Sequence, residues 1–518
     1  MSAVDVAVVG GGHNALVCAA YLARAGYGVR VLERRPIAGG AAATEELIPG
    51  FRFDLGGLTH ILTAYTSIVA DLELGRHGLE YVALDPFLFA PFPDGSHIML
   101  WRDLERSCAS IAAVSPEDAA RYRAFVLRWQ PVARALVEGL LAAPSPVRVA
   151  RDVGAAMLGR LPAGQIAALA LPYDRLIERE FTHPHVRAML TWLTAQAGPP
   201  PGAPAQAILA AVNTLYHDRG HLHARGGSGA LVEALVRAIR ERGGAVETGA
   251  GVRRILARGG RAVGVELEDG RTVLARAVVA GTHISTTLGL LGEAAPAWAR
   301  RRVARARLGN GLGVLLACAL AELPEYTALP GAPGPQHRAM QYLCPDLATL
   351  RRAYSQFRRG EPADEPALAA LTFSAIDDGL APPGRHVLSL WGQYYPHTLA
   401  GGRSWDGREE AVAEWMLETY ARYAPNVGGA VLGRVVMSPA FMERTLGLAR
   451  ANTMHLEMAF SQLFGLRPAL GLGAYRGPLP GLYLTGASTH PGGGISGVSG
   501  RNTATTLLRD FERGRSAR

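Results

Sequence analysis

The stretch from Val4 to Arg35 constrains this chain more than any other. An apolar run, Val4 to Val9, meets Gly10, Gly11 and Gly12; helical spacing then continues through Leu22, and a second apolar run follows at Val29 to Leu32. The order reads as strand, tight turn, helix, strand. Gly10, Gly12 and Ala15 make a GxGxxA pattern. The first glycine allows the sharp turn, the second lets a diphosphate approach the backbone, and the small third residue lets helix and strand pack closely. The free N–H groups and positive end of the helix, which opens with His13 and Asn14, then face the phosphates. Glu33 ends the second strand, where an acid can accept ribose hydroxyls, and Arg34 follows it. The pattern predicts a dinucleotide site, and by spacing alone it suits NAD and FAD equally.

At 518 residues the chain is too long for one simple core. A nucleotide-binding domain is predicted from 1–85, 215–298 and 470–518, with a substrate domain carrying a helical insert from 86–214 and 299–469. The net charge of +9 suggests nucleic acid at first sight, but all 53 basic residues are Arg and they are scattered, so no nucleic-acid partner is expected. The densest group, Arg300, Arg301, Arg302, Arg305 and Arg307, leaves peripheral contact with anionic lipid open. The four cysteines are far apart, which indicates neither a redox disulfide nor a zinc site and fits a reduced, cytoplasmic setting. The first strand begins too early for a secretion signal, and no apolar run is long enough for a transmembrane helix.

Gly39 and Gly40 predict another close backbone approach to a bound cofactor. Phe51 and Phe53 alternate with polar partners before Asp54, Gly56 and Gly57, and His60 follows in a loop or helix start. From Pro86 to Tyr216 the character is helical: Pro116 to Leu141 has an N-cap at Ser115 and apolar residues at helical spacing, and Pro199 to Pro204 forms a rigid loop. Gly226, Gly227 and Gly229 precede a helix with Leu231, Leu235, Val236 and Ile239 on its apolar face. The turn Arg225 to Gly229 follows no clear strand and lacks an acid like Glu33, so it reads as structure rather than a second nucleotide site. Strands are predicted through Val246, near Val252, over Val263 to Leu267 and over Ala277 to Thr282. Later come strand-like runs at Gly313 to Leu320 and His386 to Tyr394, and a helix over Arg408 to Tyr423. The segment from Gly481 to Leu508 reads as strand, glycine-rich loop and helix, the helix starting near Gly497 to Asn502.

Taken together, VAVVGGGHNALVCAAYLARAG with Glu33, GGAAATEE with FRFDLGG, ARGGSGALVEAL, and GLYLTGASTHPGGGISGVSGRNTA resemble the FAD-dependent phytoene desaturase-like oxidoreductases. These lie within the wider amine-oxidase and GDI-like flavoprotein class, and the branch the chain looks most like is named for pyridine nucleotide-disulphide oxidoreductase domain-containing protein 2. The resemblance implies an α/β fold, a Rossmann-like FAD-binding domain with an interleaved α+β substrate domain. It implies FAD, with its diphosphate over Gly10 to Ala15 and its ribose on Glu33. Gly39, Gly40, Ala41, Gly56 and Gly57 would lie beside the flavin, and the strand at Val252 would reach the adenine. Gly486, Ala487, Gly493, Gly494, Ile495 and Ser496 would close over the ribityl chain and ring. One departure stands out: many members of the wider class carry Gly-Asp where this chain has Gly486 and Ala487, an acidic contact that carotenoid-desaturase-like members also tend to lack. Without a cysteine pair, disulfide reduction is excluded on chemistry.

Flavin takes a hydride, and for C–C desaturation the second hydrogen leaves as a proton, so a base or water is expected nearby. His60 is a candidate for that base, or a structural histidine; His490 either shapes the flavin pocket or acts directly. Trp391, Tyr394, Tyr395 and His397 line a substrate channel or pack in the core, and Arg501 and Asn502 hold flavin carbonyls or cap the last helix. No metal-spaced histidines, paired carboxylates or serine nucleophile appear. The leading expectation is an FAD oxidoreductase that desaturates a largely apolar small molecule, passing electrons to oxygen, quinone or another acceptor. Amine oxidation, polyene isomerisation and a non-catalytic GDI-like carrier are the rivals. The intact phosphate turn and Glu33 argue against the carrier. Oligomeric state is open.

Overall fold

Val6, Ala7, Val8 and Val9 carry no polar side chain, so a strand built from them can be buried on both faces. The strand Ser2–Val9 (β1) buries these four residues in the computed structural model, which describes residues 2–144, 162–196, 198 and 200–516. β1 pairs in parallel with Val29–Leu32 (β2) on one side and with Thr272–Ala280 (β12) on the other. Its alternation divides the core. Val6 and Val8 pack with Leu16 of the helix His13–Arg24, Leu235 of the helix Gly229–Glu241 and Leu507 of the helix Val498–Ser516. Ala7 and Val9 face the opposite cluster, with Ile255, Ile284 and Leu482.

The first sheet runs β10-β11-β12-β1-β2-β9, with β9 at Ala245–Glu247, β10 at Val252–Arg258 and β11 at Arg261–Leu267. The far edge of β12 is shared. Its start pairs antiparallel with β11 and its end pairs in parallel with Leu482–Leu484 (β18), which brings the C-terminal segment next to the first turn of the chain. The last helix crosses the first with Gly500 against the backbone of Asn14 and Cys18, a contact with no room for a side chain.

A second sheet runs β17-β13-β16-β15-β14-β6-β7: Val431–Met437, Gly313–Leu320, His386–Gln393, Leu368–Leu371, Met340–Leu343, Leu88–Pro91 and His97–Leu100. Only β14 and β6 pair in parallel. The helical insert expected from about Pro86 opens instead with the β6–β7 hairpin, and its helices begin at Leu104. The helix Pro116–Leu141 is capped by Ser115 Oγ, which accepts the N–H of Asp118. Of the proline-rich loop, residue 199 lies outside the described residues.

Two small two-stranded ribbons complete the fold. Thr44–Ile48 (β3) pairs with Phe51–Asp54 (β4), and β4 lies against β16. Tyr81–Ala83 (β5) pairs with Leu222–Ala224 (β8). The turn Arg225 to Gly229 therefore does follow a strand, contrary to expectation. That strand belongs to a two-stranded ribbon rather than to the first sheet, and its three residues are too short to show a period.

Candidate cofactor site

Gly10 adopts φ +88°, the left-handed region that favours glycine, and its N–H donates to Leu32 O at 2.8 Å. Gly12 caps the helix His13–Arg24 with no side-chain acceptor for the first-turn N–H groups, and a Cβ placed there would meet nothing within 4 Å. An open cradle with unsatisfied donors thus sits at a helix N-terminus. Ala15 is small for a structural reason: a Cβ on Gly281 would come to 2.7 Å from its own.

Glu33 is nearly buried, and its two oxygens accept the N–H groups of Gly11 (2.7 Å) and Arg35 (2.8 Å). A carboxylate has further lone pairs to offer a hydroxyl. Arg34 beside it is exposed. Ala250 N–H donates to Glu33 O, and Gly249 N–H to Arg35 O, so the approach to Val252 runs alongside Glu33. Gly39 N–H donates to Gly11 O, a Cβ on Gly40 would lie 3.5 Å from Gly12 Cα, and Gly57 N–H donates to Ala41 O, with Gly56 packed on Ala41. Three glycine-containing segments thereby form one continuous wall.

The C-terminal loop closes on this wall. Gly486 (φ +92°) donates to Ser499 Oγ, and a Cβ on it would meet Gly281 O at 3.2 Å. Ile495 O accepts from Thr63 Oγ1 at 2.8 Å, and Ile495 packs onto Gly57. Gly493 lies against Met454, Gly494 is exposed near Leu62, and Ser496 Oγ accepts the N–H of Val498. His13 reaches the Gly494 backbone; loss of hydration outweighs that bond and lowers its pKa to about 4. Residues near both ends of the chain therefore line one groove. Asn14 Nδ2 bonds His13 Nε2, but its buried Oδ1 has no partner.

The candidate catalytic residues do not share one constellation. His60 is fully buried, with Nδ1 2.7 Å from Tyr81 Oη and Nε2 2.9 Å from Ser228 Oγ. Burial, then the neighbouring His13 and His223, push its pKa down to about 3. Ser228 also donates to Gly57 O, and its N–H donates to Asp54, whose carboxyl burial holds above the usual range despite the donors around it. His490 is buried and stacks on Phe464, with its ring toward the backbone of Leu140 and Ala142; burial outweighs those contacts and lowers its pKa to about 4. Tyr394 lies in the other half of the molecule, following β16 with φ +67° and packed against Tyr354 and Phe357. Trp391, Tyr395 and His397 are engaged by Gln393, Ala363 O and Glu443. Arg501 donates to Leu141 O and Asn502 to Tyr475 Oη.

Three features have no counterpart in the sequence reading. The buried pair His223–Asp377 (2.8 Å) ties β8 to the loop before β16. Asp54 and Ser228 meet across the two motifs that contain them. Arg467 is buried behind Ala487. Only the motifs around Asp54 and Ser228 gave any signal. Among the described residues no His, Cys, Asp and Glu cluster could hold a metal, and no helix is long and apolar enough to cross a membrane. All four cysteines are buried and unpaired.

The family model for flavin-containing amine oxidoreductases matches residues 16–320. The chain is 32% identical to pyridine nucleotide-disulfide oxidoreductase domain-containing protein 2 of Mus musculus, covering 98% of this chain and 94% of that one. It is 29% identical to a limonene dehydrogenase component of Castellaniella defragrans (98% and 95%) and 28% identical to the lycopene-forming phytoene desaturase of Pseudescherichia vulneris (98% and 99%). A putrescine oxidase structure shares the fold at TM-score 0.63 and 15% identity, over 99% of both chains. The open cradle at Gly12, the uncapped helix and the unpartnered Asn14 Oδ1 fit FAD, the cofactor of this group. The chain belongs to the flavin-containing amine oxidoreductase family and is an FAD-dependent oxidoreductase.

Proposed function

We propose that this enzyme desaturates a largely apolar small molecule of terpene or polyene type. The observation that carries this reading is end-to-end similarity to relatives named for limonene dehydrogenation and phytoene desaturation. FAD, when bound, supplies the hydride acceptor. The chain's own residues hold it: Gly10 to Ala15 the diphosphate, Glu33 the ribose, Gly39 to Ala41 and Gly56 to Gly57 one side of the ring system, and Gly486 to Ser496 the other. For the departing proton His60 and His490 are the candidates. Both are uncharged: His60 is engaged by Tyr81 and Ser228, and His490 stacks on Phe464 with its ring toward the backbone of Leu140 and Ala142. The electrons leave to oxygen or a quinone.

An apolar substrate partitions into lipid. Arg300, Arg301, Arg302, Arg305 and Arg307 are exposed, and Arg302 Nη1 donates at 2.8 Å to the carbonyl of the exposed Leu470. A cluster of exposed arginines in contact with an exposed leucine suits an anionic bilayer surface. Salt-sensitive sedimentation with anionic but not zwitterionic vesicles is expected.

The test of the reaction is product mass. Holoenzyme given a terpene or linear polyene and a quinone should yield a product two hydrogens lighter. Amine oxidation is the second reading, favoured by the family model's description; hydrogen peroxide and an aldehyde from a primary amine, with no hydrocarbon turnover, would establish it instead. Rearranged polyene of unchanged mass would point to isomerisation.

A further inference from the structure

Arg467 is fully buried and yet has no acidic partner among the described residues. Its guanidinium is held by backbone carbonyls: Nε and Nη2 donate to Ala487 O at 3.0 and 2.8 Å, and further bonds run to the carbonyls of Met454, Leu456, Glu457 and Gln462. Glu457, the nearest acid along the chain, turns its carboxylate away to Arg307 at 3.1 Å. Burial lowers the Arg467 pKa only to about 10, so the side chain stays charged at neutral pH. His283, His455 and His490 around it are kept uncharged, first by burial and also by this cation.

A buried charge without a counter-charge is costly, and its field is poorly screened. Carbonyl oxygens satisfy its hydrogen bonds but leave a net positive charge. The peptide it grips is Ala487, half-exposed on the groove beside Gly486, which itself packs on Gly281 next to the Gly10 turn. The loop from Gly486 to Ser496 contains no Asp or Glu, so no acid on it offsets the field.

We propose that Arg467 is an electrostatic tuning residue for the cofactor: its uncompensated charge, one peptide away from the groove, stabilises flavin states that carry negative charge. Adding a hydride, one proton with two electrons, to neutral flavin leaves one negative charge on the ring system. Sulfite reports the same property without turnover. Its lone pair forms a nitrogen–sulfur bond to the flavin, and the displaced electron pair resides on the ring as negative charge. Arg467 thereby raises the reduction potential and the sulfite affinity together. This rests on the Gly486–Ser496 loop lying over the ring, and the test separates the two ideas.

Sulfite titration and dye-equilibrated reduction of the holoenzyme are the readouts. Wild type should bind sulfite more tightly than free FAD does. Arg467→Met should weaken sulfite binding tenfold or more and lower the potential by about 30 mV per tenfold change, while Arg467→Lys should retain most of both. Because Arg467→Met removes several loop bonds and can fail to fold, Ala487→Asp is the second arm. It leaves the carbonyl contacts in place but supplies the missing counter-charge, and should weaken sulfite binding in the same direction. Normal FAD binding with unchanged sulfite affinity in Ala487→Asp or Arg467→Met, or a wild type no tighter than free FAD, overturns the proposal. Ala487→Asp that folds and binds FAD as wild type but whose flavin absorption is unmoved overturns the placement of the loop.

Discussion

His60 and Ser228 are separated by 168 residues and joined by a 2.9 Å hydrogen bond. Ser228 in turn bonds Asp54 and Gly57, so one hydroxyl fastens the ARGGSG turn to the FRFDLGG strap that walls the groove. Ser228→Ala leaves the buried His60 Nε2 without this partner and should cost about 1–3 kcal/mol of stability. Denaturant unfolding of the apoprotein and holoprotein should show the loss in both, since the contact does not involve cofactor.

Stability should fall on mild acidification. His60, His221 and His490 are buried, and burial lowers their folded-state pKa values to about 3, 3 and 4 from an ordinary 6.5. Between those limits the unfolded chain takes up protons that the folded chain refuses. Stability is therefore complete above pH 6.5 and declines as pH drops through that window. Tm measured against pH should show the decline, and His221→Gln should flatten it; a level Tm through the window contradicts the burial of these rings.

Gly12 and Gly281 separate binding from folding. Gly12→Val puts its side chain into open groove where nothing lies within 4 Å of a Cβ, so the apoprotein should keep its Tm while FAD affinity drops tenfold or more. Gly281→Ala would bring two Cβ atoms to 2.7 Å and should destabilise the protein itself by about 1–3 kcal/mol. Apoprotein Tm and FAD titration, measured on both, distinguish the two effects.

Asp377 accepts from His223 at 2.8 Å and from Gly226 N–H at 2.7 Å, with both side chains of the pair buried. Removing one partner of such a pair leaves a stranded polar group. Asp377→Ala should cost about 3–5 kcal/mol. The double variant with His223→Ala should cost less than the two single effects summed, as a double-mutant cycle would show.

What the sequence disclosed follows from the range of the forces involved. The strand at Val29–Leu32, the helix from Pro116 to Leu141 and the strand at Gly313–Leu320 coincide with the predicted bounds, because periodicity and capping act over a few residues. The β6–β7 hairpin was hidden because β6 pairs with β14, some 250 residues later, and its four-residue strands, LFAP and HIML, are nearly all apolar and show no alternation. The β8 strand before Arg225 is only three residues long. In the site, the glycine wall was legible because close backbone approach selects glycine at fixed spacings. Arg467 was not, since a guanidinium bonded to carbonyls needs no particular side chain opposite it.

The central claim is that FAD held in this groove oxidises an apolar carbon skeleton. Anaerobic mixing of holoenzyme with a terpene or linear polyene, followed by absorption, tests it most directly. The flavin bands should bleach in one phase, with one equivalent of product carrying an additional double bond. Persistence of the oxidised spectrum with every hydrocarbon, alongside bleaching by a primary amine, would contradict it.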